Sequence, residues 1–374
     1  MPAPSAHRKT PPHSPTTGLQ ALALHLRSWT CCALVGLLMA SAPSIAEPKF
    51  RLAWSIYVGW MPWDYAAASG IVDKWAKRYG IDIEVVQIND YIESINQFTA
   101  GAFDACTMTN MDMLTIPAAG GVDSTALLVG DFSNGNDGLA MKGANSLSDV
   151  RGQDVYLVEL SVSHYLLARA LDSIGLSERD VQVVNTSDAD IVSAFATKPV
   201  RAVVTWNPQL SAVSSMPGAK VLFDSGDIPG EIIDLTAVNT DTLKRHPELG
   251  KALAGAWFET MAIMSADTPE GIAARTHMAE ASGTDLDGYL QQLGSTRMFY
   301  DPAEAASFVR SPELMHTMEL VRGFSFDHGL LTEGASSPDV IGIALPNDKV
   351  LGKRSNVKMR FTTEFMDLAA EGTL

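Results

Sequence analysis

Cysteine is scarce in this chain of 374 residues, which contains three. Cys31 and Cys32 lie at the start of an apolar N-terminal run rather than at its end, so neither is placed as a lipid-anchoring cysteine. Cys106 alone remains beyond that run and cannot form an internal disulfide. Next to Ala105 in a predicted strand, it is typical of a small buried hydrophobic residue rather than a reactive thiol. Stability must therefore come from packing.

No apolar run in the chain is long enough to span a bilayer. The longest N-terminal run extends from Cys31 to Ala40, and a spanning helix needs roughly 18 apolar residues or more. Residues 1–46 instead show the order of a secretory signal: basic residues, an apolar run, and small residues ending at Ala46. We therefore expect cleavage before Glu47 and export of the mature chain.

Positive charge is in short supply, with 27 Lys and Arg against 43 Asp and Glu. Residues 1–46 contain Arg8, Lys9 and Arg27 and no acidic residue, so removing three positive charges takes the formal net charge from −16 to −19. Such a surface repels nucleic acid and anionic lipid. We expect no nucleic-acid partner, and we expect the mature chain to be a soluble monomer.

The common catalytic and cofactor motifs are absent from residues 47–374. No dinucleotide-binding glycine motif, phosphate-binding loop, nucleophile elbow, metalloprotease helix or C-x-x-C pair occurs. No two of the five histidines in this region have the close helical spacing of metal ligands. The sequence therefore predicts no cofactor, no metal and no enzymatic activity.

Strand and helix patterns alternate from Phe50 onward, which predicts an α/β fold with two open sheets. Asn110 is expected to open a helix after the third strand. The polar segment 131–138 (DFSNGNDG) is expected to cross between two lobes. We predict a signal peptide at 1–46, a first lobe at 47–133 and 240–374, and a second lobe at 134–239. The segment 241–264 is expected to form one long helix. Residues beyond it are expected to be helical, without a further series of strands, and to pack on the first lobe.

Ligands of such folds bind in the crevice at the carboxyl ends of the strands. In the first lobe, the loop from Ser55 to Asp64 is rich in aromatic residues, including Trp60. It forms either a pocket wall or a loop packed on the core. Asn110 and Asp112 follow the third strand. They either cap a helix or, in the case of Asp112, point across the cleft.

The second lobe carries a polar group where a strand ends and a helix begins, at Glu159, Ser161, Ser163 and His164. Free backbone N–H groups, hydroxyls and an imidazole there could hold a polar ligand, or the serines could only cap the helix. Trp206 ends another strand, where it either fills the core or offers a flat surface. Among the carboxylates near the second crossing, Asp234 is a further candidate ligand-binding residue.

Several short segments resemble the sulfonate, nitrate and taurine type of periplasmic binding proteins, a group that also includes binders of thiamine-pyrimidine precursors. They are residues 163–171 (SHYLLARAL), 174–177 (IGLS), 204–208 (VTWNP), 246–248 (HPE) and 254–258 (AGAWF). Within this group the chain is most similar to members associated with urea carboxylase operons, which are linked to urea and guanidine. The resemblance implies a two-lobed type II periplasmic binding fold, and delivery of a small molecule to the permease and ATPase of an ABC importer.

The resemblance also implies that Ser161, Ser163, His164 and Trp206 hold the ligand. Glu159 and Asp112 depart from an anion site, because carboxylates suit a cation or a neutral donor better than a sulfonate. Three functions follow for comparison. The first is capture of a guanidine- or urea-like nitrogen compound, and the second is capture of an anion such as a sulfonate, taurine or nitrate. The third, ranked below both, is an enzyme of the pyrimidine-precursor type on the same fold.

Overall fold

The fold is that of a computed structural model, which describes residues 47–374. The predicted signal peptide lies outside the described residues. The strands are β1 (Lys49–Trp54), β2 (Asp82–Gln87), β3 (Ala105–Thr109), β4 (Ser124–Ser133), β5 (Asp137–Lys142), β6 (Asp154–Leu157), β7 (Gln182–Asn185), β8 (Ala202–Trp206), β9 (Ala219–Asp224), β10 (Ile233–Asn239), β11 (Thr296–Met298), β12 (Gly342–Leu345), β13 (Lys349–Leu351) and β14 (Val357–Phe361).

Helices connect and cover these strands. They are α1 (Met61–Ala68), α2 (Ile71–Arg78), α3 (Tyr91–Thr99), α4 (Asn110–Met113), α5 (Val162–Ser173), α6 (Ile191–Ala196), α7 (Gln209–Ser214), α8 (Thr240–Arg245), α9 (Pro247–Ser265), α10 (Pro269–Ala281), α11 (Leu286–Leu293), α12 (Pro302–Arg310), α13 (Pro312–Asp327) and α14 (Glu364–Ala370). Among residues 47–374, no helix combines the length and the apolar character that crossing a bilayer requires.

The strands form two sheets, which confirms the predicted α/β fold with two open sheets. The larger sheet has the order β13-β12-β14-β4-β10-β3-β1-β2, with β11 paired to β4, and we call it with its helices the first lobe. The smaller sheet has the order β7-β6-β8-β5-β9 and forms the second lobe. In the larger sheet, β1 runs parallel to β2 and β3, so the carboxyl ends of these strands meet at one edge.

The chain crosses between the lobes twice, and the first crossing is shorter than the sequence predicts. The first occupies only residues 134–136, because β4 continues through Asp131 to Ser133 and β5 begins at Asp137. The second lies between β9 and β10, within residues 225–232. Since β10 pairs with β3 and β4 of the larger sheet, the second lobe ends before the predicted boundary at 239.

Two serine hydroxyls connect the crossings to each other. The hydroxyl oxygens of Ser133 and Ser225 are 2.6 Å apart. Ser225 Oγ also accepts the backbone N–H of Gly135 at 2.8 Å, and the Ser133 hydroxyl donates to Asp137 Oδ2 at 2.6 Å. These buried bonds join residues of both crossings in one unit, which we call the hinge.

Three local expectations were wrong. The predicted helix 241–264 is two helices, α8 and α9, broken where His246 precedes Pro247, which disfavours helical geometry in the residue before it. Thr109, rather than Asn110, caps α4 by accepting the N–H of Asp112 at 3.3 Å. Strands β11–β14 lie in the segment expected to lack them. They join the larger sheet, in agreement with the expected packing of this segment on the first lobe.

Cys106 is fully buried in β3, as its apolar setting predicts. Burial raises the pKa of its thiol to about 12. The side chain is therefore a protonated thiol at neutral pH, and it contributes packing rather than reactivity.

Candidate functional site

A small cavity lies between the lobes at the carboxyl ends of the strands. The space that its walls enclose is only about 10 Å³, room for about one water molecule. The first lobe contributes Tyr57, Trp60, Tyr91, Thr109 and Asp234, and the second contributes Asp137, Val162 and Trp206. The predicted residues Trp60, Trp206 and Asp234 are thus brought together here. Pockets for drug-sized ligands measure roughly 300–1,000 Å³, so the walls must move apart before even a small ligand can enter.

Four aromatic side chains form the apolar walls. Ring centroids are separated by 5.0 Å between Tyr57 and Trp60, 5.7 Å between Trp60 and Tyr91, and 5.5 Å between Tyr91 and Trp206. The indole N–H of Trp206 donates across the cleft to the carbonyl of Ile56 at 3.4 Å. The predicted pocket-wall role of the aromatic loop is thus consistent with where Tyr57 and Trp60 lie.

One indole donor in this wall is unused. Trp60 is 4% exposed, and its Nε1 has no hydrogen-bond partner among the described residues. Because buried polar groups normally have a partner, an acceptor on a bound ligand would complete this site.

Two aspartates, which we call the floor pair, face each other next to the cavity, and one of them, Asp234, lines it. Asp131 on β4 and Asp234 on β10 are directly opposite in an antiparallel pair, so their side chains emerge on one face. The Tyr57 hydroxyl donates to Asp131 Oδ1 at 2.7 Å. The Oδ2 atoms of both aspartates are buried and have no hydrogen-bond partner in residues 47–374.

Burial raises the pKa of both carboxyl groups in this pair, and their closeness to each other raises that of Asp234 further. Asp137 lies on β5 opposite Trp206, and burial raises its pKa to about 7 against the stabilising hydrogen bond from Ser133. Within the described residues, no lysine, arginine or histidine lines the cavity. The cavity is therefore lined by two buried acidic groups, Asp137 and Asp234, with Asp131 opposite Asp234, and no positive side chain of the described residues lines it to balance them.

Gly59 allows the aromatic loop to lie close to the floor pair. A Cβ atom at position 59 would lie 2.5 Å from Asp131 Oδ2 and 2.5 Å from the Tyr57 ring. Only a residue without a side chain permits this approach, which places Tyr57 within hydrogen-bond reach of Asp131.

Asp112 lies at the start of α5, next to the residues Ser161 to His164 that the sequence suggests as holding a polar ligand. It is buried and accepts the hydroxyl hydrogens of Tyr91 at 2.7 Å and Thr109 at 2.9 Å. Burial raises its pKa to about 6, and the backbone N–H of Val162 partly offsets this by favouring the charged form. A carboxylate of the first lobe thus lies at the N-terminus of α5 in the second lobe, and a ligand role for Asp112 stays a prediction.

The candidates Ser161, Ser163 and His164 of the second lobe do not line the cavity. Ser161 caps α5, accepting the N–H of Ser163 at 3.2 Å and donating to the carbonyl of Val158 at 2.7 Å. The hydroxyl of Ser163 is buried and has no partner among residues 47–374. His164 contacts Glu178. The capping interpretation therefore accounts for Ser161, and a ligand role for these residues stays a prediction.

Three further candidates also lie outside the cavity lining. Asp64 on α1 bonds His277 Nε2 at 2.8 Å. Asn110 holds the second crossing in place, accepting the N–H of Ile233 at 3.1 Å and donating to the carbonyl of Glu231 at 3.1 Å. Glu159 is exposed, and the structure shows only its backbone N–H bonded, to Asn185. The sequence missed Tyr57, Tyr91, Asp131 and Asp137 as site residues.

A second polar cluster joins the lobes away from this cavity. Side-chain ligand atoms of His164, Glu178 and His328 lie within 4.8 Å of one another, an arrangement that the separation of these residues in sequence hides. His164 Nδ1 accepts the N–H of Leu160 at 3.0 Å, so the neutral ring carries its proton on Nε2, beside Glu178. A protonated Nε2 cannot also bind a metal, and the cluster is better described as hydrogen-bonded.

His328 forms the charged half of this cluster. Its Nδ1 contacts the carbonyl of Phe324 at 2.8 Å and its Nε2 contacts Glu178, both acceptors, which requires a proton on each nitrogen. The bond to Glu178 raises the pKa of His328. Although burial would raise the pKa of Glu178, the bonds from His164 and His328 lower it to about 2.

We expect His328→Gln to lower the thermal stability of the protein more at pH 5.5 than at pH 8.5. The raised pKa of His328 contributes stability at low pH that is lost as pH rises through the folded-state value. The expected cost at pH 5.5 is about 1 kcal/mol, since both groups are partly exposed and screened. His316→Gln is the matched control, because His316 is exposed on the same helix, α13. Equal effects of His328→Gln at both pH values would contradict the ion pair.

Comparisons with known proteins place these features in a family. The model of the NMT1-like family matches residues 53–280. A candidate binding protein from Brucella abortus (strain 2308) is 26% identical over 179 residues, which are 45% of this chain and 55% of that protein. The taurine-binding periplasmic protein of Escherichia coli (strain K12) is 28% identical over 131 residues, 34% of this chain and 40% of that protein. The match thus spans about half of the curated relatives or less.

Solved structures show the same fold. The alkanesulfonate-binding protein from Xanthomonas axonopodis pv. citri, bound to MOPS, aligns with a TM-score of 0.61 and 17% identity over 76% of this chain and 95% of that one. The periplasmic nitrate-binding protein from Synechocystis PCC 6803 aligns with a TM-score of 0.55 and 11% identity over 88% of this chain and 99% of that one. At these identities the likeness establishes the fold alone.

Proposed function

We propose a transport function for this chain, which belongs to the NMT1-like family: it is the periplasmic solute-binding protein of an ABC importer, and it captures a guanidine- or urea-like nitrogen compound. The proposal rests on one observation above the others, the small aromatic cavity whose buried carboxylates have no cationic side chain beside them. It binds its ligand without changing it, and hands it to a membrane permease and its ATPase.

A planar molecule with several N–H donors fits this chemistry. Its faces stack on Trp60 and Trp206, and its N–H groups donate to the two carboxylates that line the cavity, those of Asp137 and Asp234. Guanidinium and urea each have only four non-hydrogen atoms, and the walls of the cavity must move apart to admit either.

Two features of the cavity favour different members of this pair. The free N–H of Trp60 favours urea, whose carbonyl oxygen accepts it, and an unmade hydrogen bond of this kind costs about 1–3 kcal/mol. The carboxylates favour guanidinium, since leaving a buried charge without its partner costs about 3–5 kcal/mol. Because the unpartnered charge costs more than the unmade hydrogen bond, guanidinium is the preferred ligand.

Capture of an anion is the second candidate, because relatives are named for taurine, sulfonates and nitrate. In that case α5 would offer its N-terminus to the ligand. In this chain the carboxylate of Asp112 faces that helix start, and Asp137 and Asp234 line the cavity. An anion would have to displace one carboxylate and approach two others.

Closure of the lobes around the ligand explains how binding could be signalled to a permease. The lobes already touch through bonds that separation would break. The backbone N–H of Tyr91 donates to Asp188 Oδ1 at 3.3 Å, and Trp206 donates to Ile56. A ligand lying between Trp60 and Trp206 would stabilise this arrangement by contacting both lobes.

Titration calorimetry on the chain from Glu47 to Leu374 tests the ligand class. Guanidinium, urea, taurine, nitrate and an alkanesulfonate are titrated separately, and mass spectrometry checks that the ligand is recovered unchanged. We expect guanidinium or urea to bind, with guanidinium the tighter, and the three anions not to bind. Tight binding of any of these anions would overturn the proposed ligand class, and a modified ligand would overturn the binding-only role.

A further inference from the structure

The facing aspartates on β4 and β10 carry an inference about how the ligand is held, which rests on the proposed function. We propose that the ligand is a small monocation, and that it takes the place of a proton shared by Asp131 and Asp234, so that each binding event releases a proton. Affinity for the cation then depends on pH, and a neutral ligand such as urea is treated differently from a charged one.

The geometry of the pair favours a shared proton. Asp131 and Asp234 are opposite residues of adjacent antiparallel strands, and their Oδ2 atoms are buried with no donor from the described residues. Two carboxylate groups have only acceptors, so a hydrogen bond between them forms only when one of them carries a hydrogen. Asp131 Oδ1 already accepts the Tyr57 hydroxyl. The two buried Oδ2 atoms therefore remain to share the proton. Asp234 lines the cavity and is the residue at which a ligand can replace that proton.

Among the described residues, no lysine, arginine or histidine acts directly on the pair to stabilise a second negative charge. The groups that act on the pair are the carboxyl of Asp137 on β5 and the hydroxyls of Tyr57, Tyr289 and Tyr300. Asp112 acts on Asp137 and adds to the negative field. The guanidinium groups of Arg275 and Arg297 act on Tyr300, and neither arginine lines the cavity.

The exchange balances in charge. The pair with its one proton has a net charge of about −1, and burial with a raised pKa for both groups keeps that proton in place at neutral pH. When a monocation enters, its N–H groups donate to Asp234 at the cavity wall, the proton shared with Asp131 leaves to solvent, and the two carboxylates with the cation again total about −1. No bond other than O–H is broken, and no co-reactant is needed. A neutral donor brings no charge to replace the proton, so the proton stays.

Calorimetry of the intact mature protein measures the exchange directly. Guanidinium chloride and urea are titrated at pH 5.5, 6.5, 7.5 and 8.5, in buffers of different ionisation enthalpy, so that the number of protons released follows from the buffer dependence of the heat. For guanidinium we expect release of about one proton at pH 6.5, with affinity rising by about tenfold per pH unit before levelling off at higher pH. For urea we expect no release and no such rise.

The possible outcomes distinguish failure of the proton exchange from failure of the proposed binding function. Guanidinium binding with no proton release and no pH dependence would overturn the exchange and leave the proposed function standing. Binding of urea but not guanidinium would overturn the monocation and again leave the function. Binding of taurine, nitrate or a sulfonate instead would overturn both. Release of a proton with guanidinium and none with urea supports the exchange.

Discussion

Replacing Asp234 by Asn is expected to weaken guanidinium binding by about 100-fold or more, while making the ligand-free protein more stable at pH 8. The substitution keeps the size of the side chain and removes one buried carboxylate. Loss of a charge-assisted partner costs about 2–5 kcal/mol, which corresponds to roughly 30- to several-thousand-fold in affinity. The stability gain follows because the ligand-free site no longer has to accommodate that acidic group.

The matched control for this change is Glu159→Gln, the same loss of a carboxylate at an exposed position outside the cavity. Calorimetry with guanidinium and thermal unfolding at pH 8 are measured on both variants. We expect Glu159→Gln to leave both quantities nearly unchanged. If Glu159→Gln weakened binding as much as Asp234→Asn, the cavity between Trp60 and Trp206 would not be the ligand site.

The ligand-free protein is expected to lose stability as pH rises from 5 to 8.5, in contrast to proteins whose carboxylates are paired. Burial raises the pKa of Asp137 from an ordinary value of 3.8 to about 7. A raised carboxyl pKa contributes stability that is present at low pH and lost as pH rises through the folded-state value. A shift of about three units corresponds to about 4 kcal/mol in total, of which about 3 kcal/mol is lost between pH 5 and 8.5, because the loss begins near the unfolded-state pKa. Asp131 and Asp234 act in the same direction.

Thermal unfolding across this pH range measures the loss, because urea and guanidinium, the usual denaturants, are the candidate ligands. Asp137→Asn should flatten the pH profile without removing the floor pair. A low concentration of guanidinium should restore stability at pH 8.5 in the unsubstituted protein by mass action on the folded state. A profile that stays level between pH 5 and 8.5 would refute the buried acidic site.

The sequence predicted the parts of the fold that depend on regular patterns. Alternating strands and helices were recognised because their apolar periodicities are distinct. Strands β11–β14 were missed because they are three to five residues long and are stabilised by pairing with distant strands. Their local sequence does not specify that pairing.

The site was predicted only in part, for a related reason. Trp60 and Trp206, chosen because they follow or end predicted strands, and Asp234, chosen because it is near the second crossing, all line the cavity. Asp131 was assigned to a loop because an aspartate is rarely buried in a strand. Its burial depends on the Tyr57 hydroxyl, which lies 74 positions away in the chain. Glu159 also follows a strand, yet it is exposed, since a position at a strand end does not determine on which side a loop residue emerges.

The hinge has a mechanical consequence for a ligand this small. Asp137 lines the cavity and is bonded to Ser133, which itself contacts Ser225 of the other crossing. A ligand in this cavity would therefore lie close to the axis about which the lobes would turn. Atoms near a rotation axis are displaced little, whereas the same rotation displaces the outer rims of the lobes much further. A molecule of four heavy atoms could thus be reported at the rims as a displacement far larger than itself.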